Sequence, residues 1–263
     1  LNKILSFDKI NFLYLIYLNQ ILISTFTVYL FYTLCKNFLD ERFSLFGALI
    51  FSVFPFIIYS NGLISSACLQ LFFYLLFINL FLKIFTHEFN KKDLFFLIVT
   101  SALTLILRGE FLIIFVFSLV FIIVLDKKKF IHSLLILSFT ILLISPYLIR
   151  NYINTGNIHL VNVTGYALWK GNNQLVKVEG FHNSLHPEKR ESWPKIPEFD
   201  NLYKKLDTVR KDKKYEINRD KIFKDEALKN IIQDKQKYLI LYLKKIFSYF
   251  FLDLNSSIKN YYN

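Results

Sequence analysis

The chain has 263 residues, 54% of them hydrophobic and 18% aromatic, and its mean hydropathy of +0.38 excludes an ordinary soluble domain. Its net charge of +12 does not point to nucleic acid, because residues 150 to 237 intermix 18 Lys and Arg with 12 Asp and Glu and carry no nucleic-acid motif. A basic membrane protein lying beside anionic lipid accounts for both numbers.

No Met occurs anywhere, and the opening LNKILSFDKI lacks the apolar core and small-residue cleavage site of a signal peptide. The chain is therefore expected to begin inside a longer protein. Charge is absent from Ile10 to Cys35, Phe43 to Leu82, Leu94 to Leu107, Phe111 to Leu125 and, His132 apart, Phe130 to Ile149. Runs of this length predict membrane-spanning helices, since a lipid-facing barrel would alternate apolar and polar residues. The run from 43 to 82 would be about 60 Å long as one helix, roughly twice the hydrocarbon thickness, so it must fold back, with Tyr59-Ser60-Asn61-Gly62 after Pro55 as the expected turn. By the same measure residues 94 to 125 must break at Arg108-Gly109-Glu110. The expected spans are 12 to 34, 43 to 58, 63 to 85, 94 to 107, 111 to 125 and 130 to 149. Cys35 and Cys68 have no paired spacing and read as small buried apolar residues.

Basic residues alternate between the loops. Lys36 and Arg42, then Lys83, Lys91 and Lys92, then Lys127, Lys128 and Lys129 fall on one side, against Lys3, Lys9 and Arg108 on the other. The first set is expected to be cytoplasmic. The arms flanking Arg-Gly-Glu are short, about 21 to 23 Å as helix, which predicts a recess open to the other side. Arg108, Glu110, Tyr59, Ser60 and Asn61 would line it, with Arg150 and Asn151 at its rim. For Arg150 the alternative is an interfacial anchor, and for Arg108 it is a local ion pair with Glu110 that neutralises the turn.

From Asn151 to Lys237 the chain turns polar, with turn signals NTGN, GNN and WPKIP. In GYALWKGNN, Tyr166 and Trp169 stand beside Asn172 and Asn173; aromatic and amide groups together suit sugar binding, and equally suit a membrane-interface belt. His182, His186 and Glu188 make a poor metal site around Pro187, and Asn162 and Asn255 match a glycosylation acceptor pattern too common to use. Residues 215 to 254 read as one or two helices, since Phe223, Ala227 and Ile231 recur at helical spacing; the part after Tyr238, carrying Lys244 and Lys245, is expected along the membrane interface.

The expected fold is thus an all-α polytopic membrane protein with about six transmembrane helices, a small, mainly helical extracytoplasmic segment and an interfacial helix. Its domains are 1–149, 150–237 and 238–263.

Four segments, FPFIIYSNGLISSACLQLFFYLL, LTLILRGEFLIIF, SPYLIRNYINTGNIHLVNVTGYALWKGNN and YEINRDKIFKDEALKNII, resemble in order and spacing those of bacterial dolichyl-phosphate-mannose-protein mannosyltransferase-like proteins. These belong to glycosyltransferase family 39 of the GT-C superfamily. The resemblance implies a polytopic enzyme of the cytoplasmic (inner) membrane, with residues 150 to 237 periplasmic, that moves a sugar from a polyprenyl-phosphate donor to a protein or glycolipid acceptor. It matches Arg108 to the family's arginine and Arg150 and Asn151 to the junction at the outer surface. It implies no nucleic-acid partner. No cofactor is assigned, a divalent metal ion being left open. In that family the catalytic Asp lies on an outside loop before any residue present here, so no catalytic residue is expected in this chain, and Ser65-Ser66 stand where many members have an acidic residue. The substrate-binding candidates are Arg108, Glu110, Arg150, Asn151, Tyr166, Asn172 and Asn173. A transporter or flippase of a lipid-linked sugar, or a non-enzymatic membrane scaffold, are the competing readings.

Overall fold

A computed structural model describes residues 9–86, 90–161, 164–178 and 197–250. The His182, His186 and Glu188 cluster, Lys3 and both glycosylation patterns lie outside them. Among the described residues every regular element is a helix. The chain forms two compact units, Leu1–Ile149 and Arg150–Asn263.

The first unit holds α1 (Lys9–Lys36), α2 (Glu41–Ser52), α3 (Pro55–Gly62), α4 (Ala67–Thr86), α5 (Lys91–Leu107), α6 (Phe111–Leu125), a 3-10 turn (Lys127–Lys129) and most of α7 (Phe130–Thr155). Three stretches, Leu13–Lys36, Ala67–Ile84 and Phe130–Thr155, are long and apolar enough to cross a membrane. Outward side chains of the first and last of these demand such a medium, since Phe26, Tyr29 and Leu142 are all more than 60% exposed, as is Phe117 of α6.

Inside this unit α1 packs on α2 and α4, and α4 on α5. Polar side chains tie the helices where apolar contact alone gives little direction. Thr33 donates to Asn79 Oδ1 at 2.9 Å, and Asn79 donates back to the Leu30 carbonyl at 3.0 Å, joining α1 to α4. Asn61 donates to Ser24 Oγ at 2.7 Å, joining α3 to α1. On α5, Ser101 and Thr104 are fully buried and return their hydroxyls to their own helix, at Leu97 O and Thr100 O. Phe111, at the start of α6, packs edge-on to Phe77 of α4 with ring centroids 4.8 Å apart.

Two boundaries differ from expectation. The span expected over 43 to 58 is two helices, because Phe54 is extended and Pro55 takes the first helical position of α3, where its missing N–H costs nothing. The turn expected at Tyr59 to Gly62 is consequently helical, and the chain reverses instead over Leu63–Ser66. In addition, α7 runs through Pro146 to Thr155 rather than stopping at Ile149. Ser145 explains this, since its hydroxyl donates at 2.7 Å to the Leu142 carbonyl, the acceptor that Pro146 cannot serve. The helix then closes on Gly156, whose φ of +77° is the left-handed conformation of a C-terminal cap.

The second unit contains the last turn of α7, then α8 (Thr164–Gly171), a 3-10 turn (Pro197–Phe199), α9 (Asp200–Asp207), α10 (Tyr215–Gln233) and α11 (Lys235–Phe250). Trp169, Phe199, Leu202, Leu206, Phe223 and Ala227 form its core. Val176 packs with Tyr238 and Leu241 of α11 in a second cluster of the same unit.

Candidate functional site at the turn between α5 and α6

Arg108 ends α5 in an extended conformation, φ −146° and ψ 105°, and Glu110 precedes the first residue of α6. Thr104 of the preceding turn accepts the Arg108 N–H at 2.8 Å, and the Arg108 carbonyl accepts from Phe111 N–H at 3.1 Å. Both backbone groups of Arg108 are therefore paired within the break. The guanidinium lies 3.9 Å from the Glu110 carboxylate, with side-chain exposures of 38% and 70%. That separation is a loose ion pair, beyond hydrogen-bond length. Arg108 Nε is buried and has no hydrogen-bond partner, so one N–H of a permanently charged, planar group is left unpaired at the junction of two apolar helices.

The other residues expected in this recess are engaged elsewhere. Asn61 is bonded to Ser24, Ser60 donates to its own helix at Ile57 O, and Tyr59 is exposed. No hydrogen bond or ion pair among the described residues joins any of them to Arg108.

The remaining candidates belong to the second unit. Arg150 is exposed. Asn151 is buried, and its amide donates to the His159 carbonyl at 2.9 Å, holding the turn that follows α7. Asn172 and Asn173 are 3% and 0% exposed. Asn172 donates to Leu168 O, accepts from Tyr242 Oη at 2.7 Å on its side chain, and accepts from Asn230 on its carbonyl. Asn173 donates to Trp169 O and Lys170 O, accepts from Leu175 N–H, and its carbonyl accepts from Tyr238 Oη at 3.0 Å. These amides close the end of α8 and fasten it to α10 and α11, leaving no open hydrogen-bonding edge for a sugar. Trp169 is likewise 1% exposed, with its ring against Phe199 and Phe223. Tyr166 is half-buried on Trp169 and Phe223, and burial pushes its phenol above the usual range, with Arg219 opposing. The Tyr-Trp-Asn-Asn grouping is a folding device here.

Sequence reading missed two features. Asp220 of α10 caps α8, accepting from Gly165 N–H and Tyr166 N–H at 2.8 Å each. Gln20, in the middle of an apolar run on α1, is 7% exposed and lines a cavity of about 430 Å³ with Ile16, Ile23, Ile64, Ser66 and Leu69. The adjacent amides Asn19 and Gln20 within so apolar a segment were the available signal. Among the described residues no cluster of His, Cys, Asp or Glu could hold a metal ion, and Cys35 and Cys68 are free thiols.

No family model, curated protein or solved structure matches the chain.

Proposed function

We propose that this chain is part of a membrane glycosyltransferase that takes a sugar from a polyprenyl-phosphate carrier and passes it to a protein or glycolipid acceptor outside the cytoplasmic membrane. The observation that carries this reading is Arg108, held at the break between two apolar helices with its Nε–H unpaired and only a loose ion pair to Glu110. A charge kept at such a place is costly unless it serves a partner, and a guanidinium suits a lipid phosphate because it binds two oxygens at once and never loses its charge. As the bond from the sugar's anomeric carbon to the phosphate breaks, negative charge grows on the phosphate, and a fixed guanidinium stabilises it. The base that deprotonates the acceptor is assigned to no residue of this chain. The four quoted segments support the family, and the alternation of Lys and Arg among the loops supports six spans with Arg108 on the outer side. Asn151, Asn172 and Asn173 are dropped as donor ligands, because their amides are already engaged.

The test uses the full-length protein in liposomes with polyprenyl-phosphate mannose and polyprenyl-phosphate glucose. Arg108→Ala should lower kcat/KM by about 100-fold, the usual loss for one stabilising donor, and Arg108→Lys should recover part of it. Unchanged turnover in Arg108→Ala would remove Arg108 from the site. Absence of turnover with both donors, alongside transbilayer movement of a labelled polyprenyl-phosphate sugar, would replace the transferase by a flippase.

A further inference from the structure

Helix α11 has two faces with different duties. One is used inside the second unit: Tyr238 and Leu241 are buried against Val176, Tyr238 Oη donates to the Asn173 carbonyl, Tyr242 Oη to Asn172 Oδ1 and Lys245 Nζ to the Gly171 carbonyl. The other carries Leu239, Leu243 and Ile246, at the i, i+4, i+7 spacing of a single helix face, with Ile240 beside them. These four are 61%, 53%, 53% and 44% exposed. Lys235, Lys237 and Lys244 are exposed at the margins of that apolar face, and no acidic residue occurs anywhere in Lys235–Phe250.

We infer that this face of α11 docks on an anionic lipid bilayer, with Leu239, Leu243 and Ile246 entering the boundary between headgroups and acyl chains and the three lysines meeting lipid phosphates around them. Composition alone places the segment near an interface. The fold adds which side chains insert, and it ties the inserted helix to Gly171, Asn172 and Asn173 at the end of α8. Three arguments choose a bilayer over a protein partner. An apolar stripe bordered by lysines, on a helix without acidic residues, is drawn to anionic lipid by both burial and charge. Lysine is depleted from protein interfaces, whereas at a bilayer its stem lies along apolar surface while the ammonium stays at headgroup level. The second unit also begins at Arg150 within α7, a helix itself long and apolar enough to cross a membrane, so the covalent connection keeps a bilayer within reach. None of this depends on which side of the membrane the unit occupies or on whether Arg108 receives a phosphate.

The test uses the full-length protein in liposomes, its native cysteines replaced by alanine and a nitrobenzoxadiazole dye attached at Leu243→Cys. In vesicles containing phosphatidylglycerol the dye should emit to the blue of its value in water and be quenched by lipids carrying a nitroxide near the glycerol boundary. That quenching should fall at least about threefold when phosphatidylcholine replaces the phosphatidylglycerol, and likewise in Lys235→Gln with Lys244→Gln, each lysine near the surface contributing about fivefold to binding. Leu239→Gln with Ile246→Gln, both at exposed positions that the fold does not need, should return the dye to water, and a dye at Ile240→Cys gives a second reading. Water-like emission without lipid quenching would overturn the docking. Blue-shifted emission that no nitroxide lipid quenches would place protein on this face, from a second copy or from elsewhere in the chain, and overturn the lipid. Equal quenching in pure phosphatidylcholine and in the lysine variant would overturn the anionic preference.

Discussion

The carboxylate of Asp220 accepts the backbone N–H of Gly165 at 2.8 Å, and α10 runs so close to α8 at this point that a Cβ on Gly165 would overlap the Asp220 carbonyl. Glycine is required here for space, since the approach of two backbones leaves no room for a methyl group. The neighbouring residues have matching duties: Arg219 pairs with Glu216 at 3.2 Å and lies over the Tyr215 ring. Gly165→Ala should therefore force α8 away from α10 and destabilise the second unit by about 1–3 kcal/mol. Asp220→Ala, which uncaps two buried N–H groups, should cost about 1–2 kcal/mol. Thermal unfolding followed by circular dichroism checks both. Wild-type melting in Gly165→Ala would mean that the helices separate freely.

Asn172 and Asn173 give a prediction that separates folding from binding. Each has both the N–H and the oxygen side of its amide hydrogen-bonded inside the fold and is almost wholly buried. Replacing either by Ala should lower stability by about 1–3 kcal/mol, the cost of partners left unsatisfied. Affinity for a polyprenyl-phosphate sugar, measured at a temperature where the variants stay folded, should not change. A selective loss of affinity with normal melting would return these residues to the ligand site.

How much of this was legible in the sequence depends on how local each determinant is. The break at Arg108 to Glu110 is local, because two charges and a glycine interrupt an otherwise apolar run, and the helices end there, at Leu107 and Phe111. The break at Pro55 was misplaced because the proline was read as the flank of a turn, whereas its fixed φ starts a helix and moves the reversal to Leu63–Ser66. The bonding of the Asn pair was hidden for a different reason. Aromatic and amide groups next to a glycine have the same composition whether they grip a sugar or cap a helix, and the partners that decide, Asn230, Tyr238 and Tyr242, are more than 50 residues away. Gln20 was visible but silent, since only the fold places Ser65 and Ser66 beside it.

Glu110 should matter little to stability and measurably to anion binding. Its pair with Arg108 is long and exposed, so it contributes less than about 1 kcal/mol. Glu110→Gln should leave the melting temperature unchanged while raising affinity for polyprenyl phosphate severalfold, because a nearby negative charge no longer competes for the guanidinium. A fall in affinity would instead assign Glu110 a direct contact with the ligand.

The second unit should respond to alkaline pH through three groups that oppose one another. Burial, with Asp234 and Tyr242 adding to it, raises the Tyr238 phenol, and burial raises Tyr166. Both phenols hold protons more tightly when folded, so their stabilisation is complete below pH of about 10, the unfolded value, and is lost as pH climbs through their folded values. Lys245 runs the other way. Its ammonium, which donates to the Gly171 carbonyl at 2.9 Å, is lowered by burial, so the unfolded chain binds the extra proton and stability rises as pH approaches about 10.4 from below. Melting temperature between pH 8 and 11 should thus decline less steeply in Tyr238→Phe than in wild type, and more steeply in Lys245→Met. Identical slopes in all three proteins would show that these groups titrate alike in the folded and unfolded chain.

Ser145 and Pro146 form a compensating pair that a double-mutant cycle can expose. Pro146 deprives the Leu142 carbonyl of its helical donor, and the Ser145 hydroxyl takes that place at 2.7 Å. With Pro146 present, Ser145→Ala strands the carbonyl and should cost about 1–3 kcal/mol in an apolar setting. With Pro146→Ala in the background the backbone N–H returns and Ser145→Ala should cost almost nothing, so the two substitutions should be strongly non-additive. Melting of the four proteins in one detergent measures the coupling. Additive costs would mean that the hydroxyl bond is incidental and that α7 continues past Pro146 on its other packing alone.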